Sequence, residues 1–224
     1  MNLQCSFIDL GFQAYQETYE IQQVLNQRRI DGLIADVLIL VEHNPTLTIG
    51  RNGGLTNILV PREQLLRQGI NVHEIERGGN VTYHGPGQLV GYPILDLSLR
   101  NKDLHRYARQ LEEVIIKTLA YYGIEGGRRE GYPGVWVGDE KIAAIGVSVK
   151  KWVTKHGFAF NISCNLDHFS LIVPCGITNC KVTSLARIIG QEPDFHQVAK
   201  MVKESFAEVF EKELQEVSLE KLLG

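Results

Sequence analysis

The residues best placed to do chemistry converge on one thiol. Cys175 stands between Pro174 and Gly176, directly after "FSLIV", and Cys180 follows five residues later. Three readings are open: a nucleophile, half of a metal or redox pair with Cys180, or a small apolar filler. Most intracellular cysteines are buried and inert. Here the flanking proline and glycine shape a turn, which can present a side chain instead of burying it. A reactive thiol also needs a cation or a helix N-terminus to lower its pKa. Lys141 and His84 supply that only if the fold brings them near. Lys141 follows the turn "GDE"; read alone, it is a solvated lysine at a hairpin end. Beyond it Ala143, Ala144 and Gly146 are small and leave room for a ligand beside a strand.

A second concentration lies in "ERGGNVTYHGPGQLVGYP", Glu76 to Pro93. Its glycines, Gly78, Gly79, Gly85, Gly87 and Gly91, let backbone approach a ligand or take positive φ. A demanding hairpin would use glycines too, but turns do not need Arg77, Tyr83, His84 and Gln88 packed between them. The stretch therefore reads as a binding loop. It has neither the spacing nor the Lys-Ser/Thr ending of a phosphate-binding loop, and it is not a dinucleotide fingerprint.

Other chemistries score poorly. Cys175 and Cys180 make a lone C-x4-C, with no second cysteine pair and no His-x3-5-His, so no metal is expected. No G-x-S-x-G elbow supports a serine hydrolase, and nothing matches P-C-x-x-C. The net charge of −3 does not favour nonspecific nucleic-acid binding. Four cysteines in 224 residues are too few for a disulfide scaffold. "MNLQCSFIDLGFQ" does not read as a signal peptide, and no apolar run approaches the roughly 18 residues of a membrane helix. The expectation is a protein of a reducing compartment with free thiols.

The elements that must position these residues are legible in outline. "CSFIDLG" reads as a strand. "AYQETYEIQQVLNQRRIDG" reads as a helix with Tyr15, Tyr19, Val24 and Leu25 on one face. Asp36 to His43 is a continuous apolar strand, expected to be buried on both faces. "PREQLLRQG" is a short helix between Pro61 and Gly69. "GQLVGYPILDLS" is a strand in which Pro93 suggests an edge or a bulge. Leu104, Tyr107, Ala108, Leu111, Val114, Ile115, Leu119 and Tyr122 give the clearest helical period, capped by Asp103 and ended by Gly123. Residues 134 to 163 read as three strands. The last helix starts at Asp194, which with Gln197 resembles a capping box, and buries Phe195, Val198, Val202, Phe206 and Val209. Clustered hairpins argue against a doubly wound parallel sheet. The fold class expected is α/β (α+β): a single domain, 1–224, with a mixed, largely antiparallel sheet and flanking helices.

Five motifs in order carry a resemblance. They are "EHNPTLTIGR", "RGGNVTYHGPGQLVGYPILDL", "GVWVGDEKIAAIG", "HGFAFNI" and "FSLIVPCGI", spread over residues 40 to 185. The chain resembles the lipoyl(octanoyl) transferases, the lipoate-protein ligase B family. Cys164 falls at a variable position, and Cys180 is outside the family pattern. The resemblance implies the fold of the biotin and lipoate protein ligase catalytic domains, with core motifs over about 36–190. It implies a cytoplasmic enzyme that moves an octanoyl group from octanoyl-acyl carrier protein to a lysine of lipoyl-domain proteins, namely 2-oxoacid dehydrogenase E2 subunits and the glycine cleavage H protein. No cofactor, nucleic acid or membrane is implied. By position Cys175 matches the acyl-thioester nucleophile, and Lys141 the lysine that lowers its pKa. Substrate-binding positions fall on Arg77, Gly78, Gly79, Asn80, Val81, Thr82, Tyr83 and His84, on Ala144, Ile145 and Gly146, and on Gly157, Phe158 and Ala159. His43 is a further candidate for the pocket wall.

Further expectations follow from that assignment. Gly78, Gly79, Ala144 and Gly146 would line an acyl slot walled by Tyr83, Tyr92 or Phe158. Backbone N–H groups near Gly176 or the Gly78–Gly79 turn would stabilise an oxyanion. Lys150, Lys151 and Lys155 would dock a carrier or form a solvated hairpin. The competing readings are an ATP-dependent lipoate or biotin ligase, a noncatalytic acyl- or cofactor-binding module, and a thiol redox or metal protein.

Overall fold

The computed structural model describes residues 3–173 and 181–224. The chain runs β1 (Gln4–Gln13), α1 (Tyr15–Ile30), β2 (Asp36–His43), β3 (Thr46–Ile49), α2 (Arg62–Arg67), β4 (Asn71–Glu74), β5 (Val81–His84) and β6 (Gln88–Ile94). It continues through α3 (Leu104–Ala120), β7 (Gly127–Arg129), β8 (Tyr132–Val137), β9 (Glu140–Lys150) and β10 (Val153–Asn161). Last come α4 (Leu185–Ile189), α5 (Phe195–Phe210), β11 (Glu213–Glu216) and α6 (Leu219–Leu223). The large sheet has the order β11-β1-β2-β6-β10-β9-β8-β7, and a small sheet the order β4-β3-β5. Among the described strands, only β11-β1, β1-β2 and β3-β4 pair in parallel. The sheets are therefore mixed and largely antiparallel.

Strand β2 shows why the large sheet is covered on both sides. Leu38 and Leu40 pack with α3 and α5, while Val37, Ile39 and Val41 pack toward α1 and α6. Alternation thus sends every second apolar residue into a different core. Helix α3 begins where Asp103 accepts the Arg106 N–H at 2.8 Å. It buries Tyr107, Leu111, Val114, Ile115 and Leu119, whereas Leu104 remains 39% exposed. Each fully buried aliphatic side chain contributes roughly 1.5–3 kcal/mol. Helix α5 is capped by the Asp194 carboxylate, which accepts the His196 and Gln197 N–H groups.

Two details depart from the sequence pattern. The buried face of α1 is Tyr15, Thr18, Gln22, Leu25 and Asn26, and Val24 is exposed. The face is polar because it serves strand β10. Asn26 Nδ2 donates to the carbonyls of Val153 and Thr154, and Gln22 Oε1 accepts the His156 N–H. Pro93 is on no edge: β6 lies between β2 and β10. The β6-β10 ladder covers only Gln88 to Gly91. Past it, Thr154 Oγ1 donates to Pro93 O and accepts the Leu95 N–H. A side chain thus satisfies the β6 carbonyl and the following N–H that the ladder no longer reaches.

Candidate active site

A cleft opens along β6, β9 and β10, bounded by Tyr15 of α1 and the segment after Glu76. Its floor is made of small residues: Ala144 pairs with Ala159, and Gly146 with Gly157. At Gly157 a Cβ would overlap the Gly91 carbonyl, so only glycine allows β10 to approach β6 there. A smaller cavity adjoins the cleft. Thr82, Lys141, Ala144 and Ala159 border both, and Gln88, Asn161, Phe169 and Val182 line the smaller one.

Lys141 stands where the two cavities meet. It is 5% exposed, unlike an ordinary lysine at a hairpin end. Its N–H donates to Lys181 O at 2.9 Å, its carbonyl accepts the Thr183 N–H at 3.0 Å, and Val182 bridges it in parallel. Its Nζ lies 5.3 Å from the centre of the Trp136 ring, within the range of a cation–π attraction. Gly134 makes room for the side chain: a Cβ there would sit 2.5 Å from Lys141 Cε. The Gly134 N–H in turn donates to Glu112 Oε1 at 3.0 Å. Glu112, buried on α3, is held by Arg109 and Arg128. A helix carboxylate therefore fixes the strand that fixes the lysine.

The segment 76–84 is tied down from end to end. Arg77 Nη2 donates to Thr48 O at 2.7 Å and to Thr48 Oγ1 at 2.9 Å, and Nε adds a bond at 3.2 Å. From Thr48 a hydrogen-bonded row leads back toward Lys141. Thr48 Oγ1 meets His84 Nε2, His84 Nδ1 meets Gln88 Oε1, and Gln88 Nε2 donates to Asn161 Oδ1 and to Tyr83 O. Asn161 Nδ2 then donates to Thr183 O, beside Lys141. Gln88 Oε1 can only accept, so His84 carries its proton on Nδ1 and accepts at Nε2. Burial, with His43 beside it, pushes the His84 pKa down to about 3. His43 donates from Nδ1 to Gln13 O and accepts the Tyr92 hydroxyl at Nε2, and burial lowers its pKa to about 4. Both rings are therefore neutral near pH 7.

Most of the expected binding residues gather on this cleft: Arg77, Gly79, Asn80, Val81, Thr82 and His84, then Ala144, Ile145 and Gly146, then Gly157, Phe158 and Ala159, with Tyr92 as a wall. Two do not. Tyr83 turns into the small-sheet core, where its hydroxyl meets His168 Nδ1 at 2.7 Å. The reason is strand alternation: Thr82 and His84 face the cleft. Gly78 uses its N–H to bond Val147 O, so that group is taken as an oxyanion donor. His43 stands behind the wall, on Tyr92. Lys155 is also displaced from its expected place. It is buried against Glu76, and only Lys150 and Lys151 lie exposed at the hairpin. Cys175, Gly176 and Cys180 lie outside the described residues.

The sequence reading passed over Thr48, Asn161, Tyr15, His156 and Glu76. Thr48, Asn161 and His156 stand inside quoted motifs, which was the available signal. Tyr15 looked like ordinary helix core. Among the described residues no three His, Cys, Asp or Glu side chains gather to hold a metal ion, and no helix is long and apolar enough to cross a membrane.

Residues 14–207 match the family described as the lipoyl protein ligase A/B catalytic domain. The chain is 51% identical over 215 residues to a Caldicellulosiruptor bescii protein named octanoyltransferase, an alignment covering 95% of this chain and 94% of the other. The chain belongs to that lipoyl protein ligase A/B family and is an acyltransferase of its octanoyltransferase type. The fold matches a lipoate-protein ligase A bound with ATP, with a TM-score of 0.74 at 15% identity, over 100% of this chain and 93% of that one. It also matches the Aquifex aeolicus biotin protein ligase in complex with biotin and ATP, with a TM-score of 0.55 at 14% identity, over 92% and 70% of the two chains.

Proposed function

We propose that the protein, acting as one catalytic domain in the cytoplasm, takes octanoyl from octanoyl-acyl carrier protein and delivers it to a lysine of lipoyl-domain proteins, the E2 subunits and the glycine cleavage H protein. The acyl group is held in between as a thioester on Cys175. One observation carries this reading: the small-residue cleft reaches Lys141, and Lys141 is strand-paired to residues 181–183, which resume directly after the segment carrying Cys175. Before it in sequence, the Val173 N–H donates to Asn57 O.

In the first step the Cys175 thiolate attacks the octanoyl carbonyl. The new C–S bond forms, the bond to the carrier's pantetheine sulfur breaks, and Lys141 gives that leaving thiolate a proton. In the second step the acceptor lysine's amine attacks the acyl-enzyme. An amide forms, the Cys175 thiolate leaves, and Lys141 recovers a proton from the amine. Thioester exchange is close to isoenergetic and the amide is downhill, so ATP has no part. The substrate groups assigned to Arg77–His84, Ala144–Gly146 and Gly157–Ala159 hold the chain, with Gly78 and Tyr83 acting through backbone placement. ATP-dependent ligases share the fold, but the near relative bears the transferase name at 51% identity, while the lipoate-protein ligase A bound with ATP is 15% identical.

The test is intact-mass analysis after incubation with octanoyl-acyl carrier protein without ATP. An octanoyl adduct removed by hydroxylamine is expected, and Cys175→Ser should lose the thioester. No adduct and no transferred product would refute the reading.

A further inference from the structure

We propose that His156 is the stop that sets the length of acyl chain the cleft accepts; this rests on the reading above that the cleft holds the acyl tail.

The backbone is the first observation. His156 has φ of 57°, in the left-handed region. Regular alternation would place Lys155 and His156 on opposite faces of β10. Instead both face α1: Lys155 pairs with Glu76 and lies over the Tyr19 ring, and the His156 ring stacks on Tyr19 at 5.9 Å. Phe158 and Phe160 keep to the α3 side, and Ala159 to the α1 side. The kink at His156 thus carries its imidazole onto the cleft face, where it lines the cleft. A non-glycine residue held at positive φ needs a reason in its surroundings, and such strain collects at ligand sites.

The second observation is position. From Ala159, at the Lys141 end, the small floor continues through Gly157; Phe158 between them borders the cleft but packs toward α3, and His156 is the first bulky β10 side chain turned onto the cleft face beyond Gly157. Three residues of strand span about 10 Å. An extended octanoyl chain spans about 9 Å from carbonyl carbon to terminal methyl, by standard bond lengths and angles. With the carbonyl carbon beside Ala159, the eighth carbon would reach the imidazole.

The third is what backs the ring. Its backbone N–H is bonded to Gln22, Tyr92 crowds it edge-on at 6.4 Å, and its Nε2 lies 3.7 Å from Glu76 Oε1. Behind it stands the Glu76–Lys155 ion pair with Tyr19. A longer chain would have to drive a fixed ring into a charged pair, and apolar carbon gains nothing from that contact.

The experiment compares wild type and His156→Gly with octanoyl, decanoyl and dodecanoyl carrier thioesters. Glycine takes φ of 57° without strain and removes the ring. One misfit methylene is worth 10–200-fold in a hydrophobic site. The ratio of decanoyl to octanoyl kcat/KM should therefore rise at least about 10-fold in the variant. Calorimetric binding of free octanoic, decanoic and dodecanoic acids is measured in parallel. It reads chain length even if wild type transfers nothing, an outcome that would sink the transferase reading alone. His156→Asn, a shorter residue that tolerates this φ, substitutes if the glycine variant fails to melt cooperatively. An unchanged length profile in both assays, whatever happens to the melting temperature, would overturn the proposal and leave His156 a packing residue.

Discussion

Gly134 offers the sharpest way to move Lys141 without deleting it. In Gly134→Ala the new Cβ would lie 2.5 Å from Lys141 Cε and would overlap the Ala143 carbonyl. Carbon atoms rest at about 3.5–4.0 Å, so the lysine must retreat by about 1 Å or more. A misplacement of that size costs roughly 100-fold in a positioned reaction. Gly134 also has φ of 134°, which L residues avoid, at about 1–3 kcal/mol. For a chain of this size each kcal/mol lowers the melting temperature by about 2–4 °C. The assay is single-turnover acylation of Cys175 by octanoyl-acyl carrier protein, quenched and followed by intact mass from pH 6 to 9, at a temperature where every variant is folded. Lys141→Ala sets the floor. If the ammonium lowers the thiol's pKa, acylation by Gly134→Ala should be slow at neutral pH and recover toward the ordinary thiol pKa of about 8.5. A folded Gly134→Ala protein with a wild-type rate and pH profile would refute the link from Gly134 through Lys141 to the thiol.

Two predictions concern pH. His156, Lys155 and Tyr19 around Glu76 hold its carboxyl well below the usual 4.5. The stability this gives is present above the ordinary carboxylate range and is lost as pH falls below it. Glu76→Gln should cost about 1–3 kcal/mol at pH 7, the size of a charged hydrogen bond, and urea titrations should show the gap closing below pH 4.5. His84 and His43 are held at about 3 and about 4, below the ordinary 6.5. The unfolded chain then binds protons that the folded one refuses, so stability should fall as pH drops from 6.5 toward 4. His43→Gln should shallow that slope in the same titrations.

The parts of the fold legible in the sequence were those where periodicity and burial agree. Strand β2 is apolar from Val37 to Val41 because both faces are covered, and α3 repeats at 3.6 because one face is. Helix α1 was misread at Val24 because its buried face is polar, matched to β10 carbonyls that no local pattern reveals. The small sheet escaped notice because β3, β4 and β5 have four residues each, too few for alternation to declare itself. The site was legible as a set of motifs but not as a set of directions. The segment 77–84 read as a loop, so nothing assigned Thr82 to the cleft and Tyr83 to the core. Lys155 looked like a docking lysine because its partner Glu76 lies 79 residues away in the chain, and the kink at His156 beside it cannot be read from composition.

That kink also shows how the cleft is held open. Three consecutive residues act on four different elements: Glu76 grips Lys155 of β10 and Tyr19 of α1, Arg77 grips Thr48 of β3, and Gly78 bonds Val147 of β9. The segment is therefore a brace between the two sheets. The cleft above Ala144 and Gly146 keeps its width because charged and backbone bonds span it, not because apolar side chains fill it. Filling it would add buried area and close the proposed acyl slot. Gly146 shows the balance at one residue: a Cβ there would press on Arg77 Cδ at 3.1 Å and on Gly78 O at 3.2 Å. The smallest residue on β9 is thus needed both for the room it leaves and for the brace it would otherwise displace. On the proposed reading, an apolar cleft that stays open until an acyl chain arrives has to be stabilised from its rim, which explains why so much of this rim is arginine, lysine, glutamate and neutral histidine.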